Sequence, residues 1–152
     1  MKKLILISTF ILASFVSASF AQKQVEPQIQ RDPILEQDAK HNLEVSWQYY
    51  KLKKAYKAVL MRFEETFAAH PDFSKMDEFL FIAAMSSKYL SEGKGKQQLV
   101  LKDDEEKKKY SPERLREDAV AYFSMIKDKY PNSKYIGETE KQLKLLQPTP
   151  KQ

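Results

Sequence analysis

The sequence contains no cysteine, and only two histidines and three glycines among its 152 residues. Without a thiol there is no disulfide scaffold, no iron–sulfur cluster, no thiol nucleophile and no attachment of lipid through sulfur. A metal site would have to rest on carboxylates together with His41 and His70. Three glycines fall far below the usual ~7% of residues, which argues against a turn-rich sandwich and against a glycine loop that cradles phosphate. Helix is left open almost everywhere. Serine and threonine are present, but none stands in a nucleophile elbow, and no carboxylate pair stands out among the 21 acids. The expectation is therefore no catalytic residue, no metal and no cofactor.

Long apolar runs are scarce as well. The one example, Leu4 to Phe20, is broken only by small residues, follows Lys2 and Lys3, and exits through Ser19-Phe20-Ala21. Charged start, apolar centre and small-residue exit define a secretory signal peptide, expected at residues 1–21 and cleaved after Ala21. The alternative is a retained anchor, since a run of 17 residues stands at the lower limit for crossing ~30 Å of hydrocarbon. Removal of Lys2 and Lys3 lowers Lys+Arg from 26 to 24 against 21 acids, a formal +3. Both signs are interspersed through the chain, so a nucleic-acid surface is not expected.

Beyond the signal, residues 22–32 are Gln-rich and read as a flexible leader. Asp32-Pro33 then supplies a capping acceptor followed by proline at the first helical position. Leu43, Trp47 and Tyr50 follow one helix face. Tyr56, Val59, Leu60, Phe63 and Phe67 follow a second, stopped by His70-Pro71. Ser74-Lys75-Met76-Asp77 has the spacing of a capping box and opens a third helix, which Gly93 is placed to end in a left-handed conformation. Ser111-Pro112 starts a fourth helix with Leu115, Ala119, Tyr122, Phe123 and Ile126 on one side. Ser133 is expected to cap a short fifth carrying Ile136, Leu143 and Leu146. The pattern predicts an all-α domain over 33–146, a charged inserted loop at 94–110, and a frayed tail at 147–152. Asp103-Asp104-Glu105-Glu106 in that loop lacks the alternating ligands and glycine of a calcium loop and reads as a solvated charge run.

The chain repeats itself at an offset of 60: Val59, Phe63, Thr66, His70 and Pro71 fall on Ala119, Phe123, Ile126, Tyr130 and Pro131. This spacing resembles the second helix of a tetratricopeptide repeat, and Ile82, Met85, Ser86, Tyr89 and Gly93 resemble its first helix. In the upstream repeat Leu43 and Tyr50 are in register, but Trp47 occupies the small position, with Ser46 as the neighbouring candidate. Phrases such as RFEETFAAHPDFSKMDEFLF resemble the BamD-like outer-membrane assembly lipoproteins of the bacterial envelope. The resemblance covers roughly residues 40–146. It departs from that family at residue 22, which is Gln where the lipidated cysteine would stand.

The resemblance implies about two and a half repeats, five helices in a short solenoid, and a concave groove lined by the first helices. Carried over by position, the groove presents His41, Glu44, Gln48 and Lys51 from the first repeat and Leu80, Ala83, Ser87 and Leu90 from the second. It implies a non-enzymatic adaptor in the periplasm or at the outer-membrane periphery, contacting the membrane through a protein partner. The alternatives are a periplasmic scaffold outside barrel assembly and a small ligand- or metal-binding enzyme. Fewer than the three repeats that usually stand alone also leaves homo-oligomerisation open.

Overall fold

The computed structural model describes residues 31–97 and 99–147. The expected signal (1–21), most of the leader (22–32) and residues 148–152 of the tail lie outside the described residues. Among the described residues the regular structure is helical: α1 (Pro33–Gln48), α2 (Tyr56–Ala69), α3 (Met76–Ser91), α4 (Asp104–Lys109), α5 (Pro112–Lys129) and α6 (Ile136–Leu146). A π-helical turn, Tyr49–Lys53, extends α1.

Six α-helices replace the expected five. The extra one, α4, forms inside the charged insertion. Asp103 Oδ1 accepts the Glu106 N–H at 2.8 Å, acids fill the first turn and lysines fill the last. That order complements the helix dipole, so a run that is only charged in composition is helical in arrangement.

The proline starts behave as the sequence implies. Asp32 Oδ1 accepts the Ile34 N–H at 2.8 Å ahead of α1, and the Ser111 hydroxyl accepts the Arg114 N–H at 3.3 Å ahead of α5. Among the starts without proline, those of α3 and α6 differ from expectation. Helix α3 is preceded by Lys75 and has no side-chain cap, and the Ser74 N–H donates to the Glu36 carboxylate of α1 in place of Asp77. Helix α6 starts after Tyr135, also uncapped by a side chain. Ser133 instead accepts the Tyr135 N–H and donates to Asp77 Oδ2 at 2.6 Å, joining the start of α6 to the start of α3.

The offset of 60 is a structural recurrence. Val59 and Ala119, Phe63 and Phe123, and Thr66 and Ile126 are buried alike. The turns that follow repeat bond for bond. His70 N–H donates to Thr66 O, Phe73 N–H to His70 O, and Met76 N–H to Phe73 O. Tyr130 N–H donates to Ile126 O, Ser133 N–H to Tyr130 O, and Ile136 N–H to Ser133 O. Thus the turns that join α2 to α3 and α5 to α6 share one hydrogen-bond pattern.

Helix α3 is the centre of the packing. Its most extensive partner is α5, followed by α2, while α1 lies on α2 and α6 on α5. Every residue from Ile82 to Ser87 is buried, which requires neighbours around much of the circumference. The insertion leaves the α3–α5 pair intact by running over α2. Lys57 Nζ donates to Val100 O and Glu106 Oε2, both at 2.9 Å, and lies over the buried Tyr110 ring at 5.0 Å. Leu101 packs on the core, whereas Leu99 and Val100 are exposed.

Two contacts fix helix ends. At the end of α3 Gly93 has φ +67°, its N–H donates to Leu90 O and the next N–H, of Lys94, donates to Tyr89 O. This is the left-handed glycine stop that the sequence implied. No atom crowds a Cβ there, so only the backbone conformation is at stake. Gly93→Ala should cost about 1 kcal/mol, read as a lower urea midpoint at unchanged slope.

The second contact is absent from the sequence pattern. Glu36 Oε2 lies 3.0 Å from Nε2 of the buried His70, and the same carboxylate accepts the Ser74 N–H, tying α1 to the α2–α3 turn. Burial acts to raise the Glu36 carboxyl, but the bonds from Ser74 and His70 outweigh it and hold the group below its ordinary value. A depressed folded-state pKa means a contribution present above the unfolded value and lost as pH falls through the folded one. Glu36→Gln should therefore cost about 1 kcal/mol at pH 7. Urea titrations should find the gap between variant and wild type narrowing below about pH 4.

Candidate functional site

Helix α3 has no fully exposed residue, and its half-buried strip includes Glu78, Phe81 and Lys88, at helical spacing i, i+3, i+10. Side chains from α1 and α6 meet it on either side. From α1, Trp47 Nε1 donates to Glu78 Oε1 at 2.7 Å. Lys51 in the π-helical turn caps the indole face, its Nζ 4.3 Å from the ring centroid. From the α6 side, Tyr135 stacks on Phe81 with centroids 4.4 Å apart and planes 16° from parallel. Lys134 reaches Glu78 Oε2 at 3.6 Å. Trp47, Glu78, Phe81, Tyr135 and Glu138 are all half-buried. They form one continuous polar and aromatic row across α1, α3 and α6.

The eight residues expected to line a groove divide sharply. His41, Glu44, Gln48 and Lys51 are exposed, and of these Lys51 joins the row through Trp47. Leu80, Ala83 and Ser87 are fully buried and cannot contact a partner; Leu90 is half-buried. Leu80 and Ala83 belong to the hydrophobic core instead. The physical reason is rotation. Each of the expected positions 80, 83, 87 and 90 is two residues from Glu78, Phe81, Met85 and Lys88, and two residues turn a helix by about 200°. The expectation therefore faced nearly the opposite side of α3. Glu78, Phe81, Lys134 and Tyr135 are the residues that sequence reasoning missed.

The Trp47 anomaly resolves in the same geometry. Ser46 is completely buried and occupies the close-packed position, while Trp47 turns outward to the row. A sequence signal for the row did exist, in a tryptophan where the resemblance implied a small residue.

Next to Trp47 the row continues into three tyrosines. Tyr50, an edge-on neighbour of Trp47 at 5.5 Å, stacks with Tyr89 at 6.2 Å, and Tyr56 lies 5.7 Å from Tyr50 and 5.1 Å from Tyr89. Burial, reinforced by Tyr89, pushes the Tyr50 phenol far above its ordinary value. The Tyr56 phenol is raised by burial and then by Tyr89. Both remain protonated, and hence hydrogen-bond donors, at any physiological pH.

Among the described residues no group of three His, Asp or Glu side chains is placed to hold a metal ion. His41 and Glu44 do share a face of α1 but find no third ligand. His70 lies against Phe73 with ring centroids 6.3 Å apart and bonds Glu36. Comparison with protein-family models, curated proteins and solved structures finds no match to this chain.

Proposed function

We propose that the chain is a non-enzymatic protein-interaction adaptor of the bacterial cell envelope, made of two and a half tetratricopeptide-like repeats. On this reading α1 and α2 form the first repeat, α3 and α5 the second, and α6 is the first helix of an incomplete third. Helix α4 and the loop before it are then an insertion within the second. The recurrence of the α2–α3 turn in the α5–α6 turn supports the repeat assignment. Export by residues 1–21 would deliver the protein to the periplasm or the outer-membrane periphery, where a role in outer-membrane protein assembly fits the resemblance of the repeat.

The observation that carries the adaptor reading is the row Trp47, Glu78, Phe81, Tyr135. Helices α1 and α3 and the start of α6 supply it, its aromatics keep part of their surface in solvent, and its charges already bridge the helices. Aromatic anchors flanked by polar groups are the composition of interaction hot spots. In the cell envelope, a photo-crosslinking residue at Lys51 or Lys134 should yield the same discrete adduct. One at Met61, exposed on α2, should not. Equal adducts from all three positions would contradict the reading.

A further inference from the structure

The tyrosine cluster lines a shallow cavity of about 650 Å³ at the end of the α1–α3–α6 row. Its rim carries Lys51 and Lys54 from one side and Lys94 and Lys96 from the other. All four lysines are exposed. Lys94 is paired with Glu92 at 2.7 Å, and Glu92 also pairs with Lys88. Among the described residues, Lys51, Lys54 and Lys96 have no carboxylate within ion-pair distance.

The backbone around this cavity is unusual on both sides. One wall is the π-helical turn Tyr49–Lys53, a form that is rare and found mostly at functional positions. It ends at Lys54 with φ +48°, the one non-glycine residue with positive φ among the described residues. A left-handed lysine is strained, and glycine would relieve that strain. The other wall is the segment after α3, with Gly93 at φ +67° and Gly95 at φ +145°. The two walls are tied together, since Lys96 N–H donates to Lys54 O at 3.2 Å. Gly95 comes so near that a Cβ would sit 3.3 Å from the same carbonyl.

We infer that this cavity receives the carboxylate side chains of an acidic segment in the protein partner that lies along the α1–α3–α6 row. The inference rests on the adaptor reading above and adds the chemistry of the partner. Three unpaired ammonium groups around phenolic O–H groups offer donors and positive charge, the complement of a carboxylate. The acids nearby are Glu92, committed to lysines, and Glu138, bonded to Gln142 and 3.5 Å from Lys141. The site is also continuous with the row, because Tyr50 touches Trp47 and Lys51 covers it. A membrane surface is a poorer fit. The wall exposes a single large apolar side chain, Leu52, and the tyrosines sit in a concavity that a flat headgroup layer does not enter.

The test uses the full mature chain and two fluorescein-labelled decapeptides, one alternating glutamate with leucine and its twin with glutamine for glutamate. Anisotropy should find the acidic peptide bound at least about fivefold more tightly. Lys51→Gln with Lys96→Gln should remove that preference, while Lys107→Gln with Lys108→Gln on α4 should keep it. Equal affinity for the two peptides overturns the inference. So does an equal loss in the α4 variant, or binding to phosphatidylglycerol vesicles without binding to the acidic peptide. Emission of Trp47, the single tryptophan, separates the two levels. If both peptides quench it equally, the row stands and the carboxylate site falls. If the acidic peptide binds through Lys51 and Lys96 with Trp47 emission unchanged, the lysine site stands and the row falls.

Discussion

Phe63→Ala should destabilise the domain by about 3–5 kcal/mol, a large share of the ~5–15 kcal/mol that holds a typical domain folded. Phe63 is 1% exposed and sits where α2, α3 and α5 converge. Its ring meets Phe79 at 5.5 Å, Phe67 at 5.5 Å and Tyr122 at 4.9 Å. The half-buried Tyr122 phenol at this junction is pushed up to about 12, chiefly by burial. Truncation removes the ring and leaves a cavity that three helices cannot jointly close, so the loss belongs at the upper part of the range. Phe123, its counterpart at the offset of 60, is equally buried and should lose a comparable amount. Urea unfolding followed by circular dichroism measures both. A loss below about 1 kcal/mol at either position would mean that the junction is not packed as described.

Leu80→Lys should have a still larger effect, unfolding the chain at ambient temperature. Leu80 has no exposed surface and belongs to the hydrophobic core. Burying an ammonium there without a partner costs several kcal/mol beyond the lost leucine packing. The same change at exposed Gln48 should move stability by no more than about 0.5 kcal/mol. This pair discriminates between core and groove. Had Leu80 lined a surface groove, lysine would have left the melting temperature in place and altered only binding. Thermal unfolding of the two variants, with wild type alongside, gives the answer.

The contrast between those residues indicates what the sequence could and could not convey. Helix ends were legible where proline or glycine wrote them: Pro33, Pro71, Pro112, Pro131 and Gly93 each act on the backbone of their own residue, whatever surrounds them. The matching turns were legible for a related reason, since Phe63 and Phe123, at the offset of 60, are both buried ahead of them. Ends without such residues were misread. Ser74 and Ser133 have capping chemistry, but Glu36 and Asp77 compete for them from elsewhere in the chain. Such long-range bonds leave no local trace. The π-helical turn was illegible too, because YYKLK carries no residue that forbids an α-helix.

The face of α3 was lost for a different reason. A helix buried between α2 and α5 shows apolar residues nearly all round, so its periodicity no longer says which side meets solvent. Leu80 and Phe81 look alike in sequence; only packing distinguishes a fully buried leucine from a half-exposed phenylalanine stacked under Tyr135. Trp47 was the better guide. A large ring at a position reserved for a small residue must turn outward, and it marks the row that the apolar pattern concealed.

The central claim is that recognition runs along α1, α3 and α6. Trp47, the single tryptophan, stands in that row with its indole bonded to Glu78, so its emission is the most direct reporter. Titration with the partner captured through Lys51 and Lys134 should change Trp47 emission to a saturating end point. Lys134→Glu, made at an exposed position beside Glu78, should weaken the change while leaving the far-UV circular dichroism intact. A partner that binds with Trp47 emission unaltered, or binds Lys134→Glu as tightly as wild type, would contradict the account.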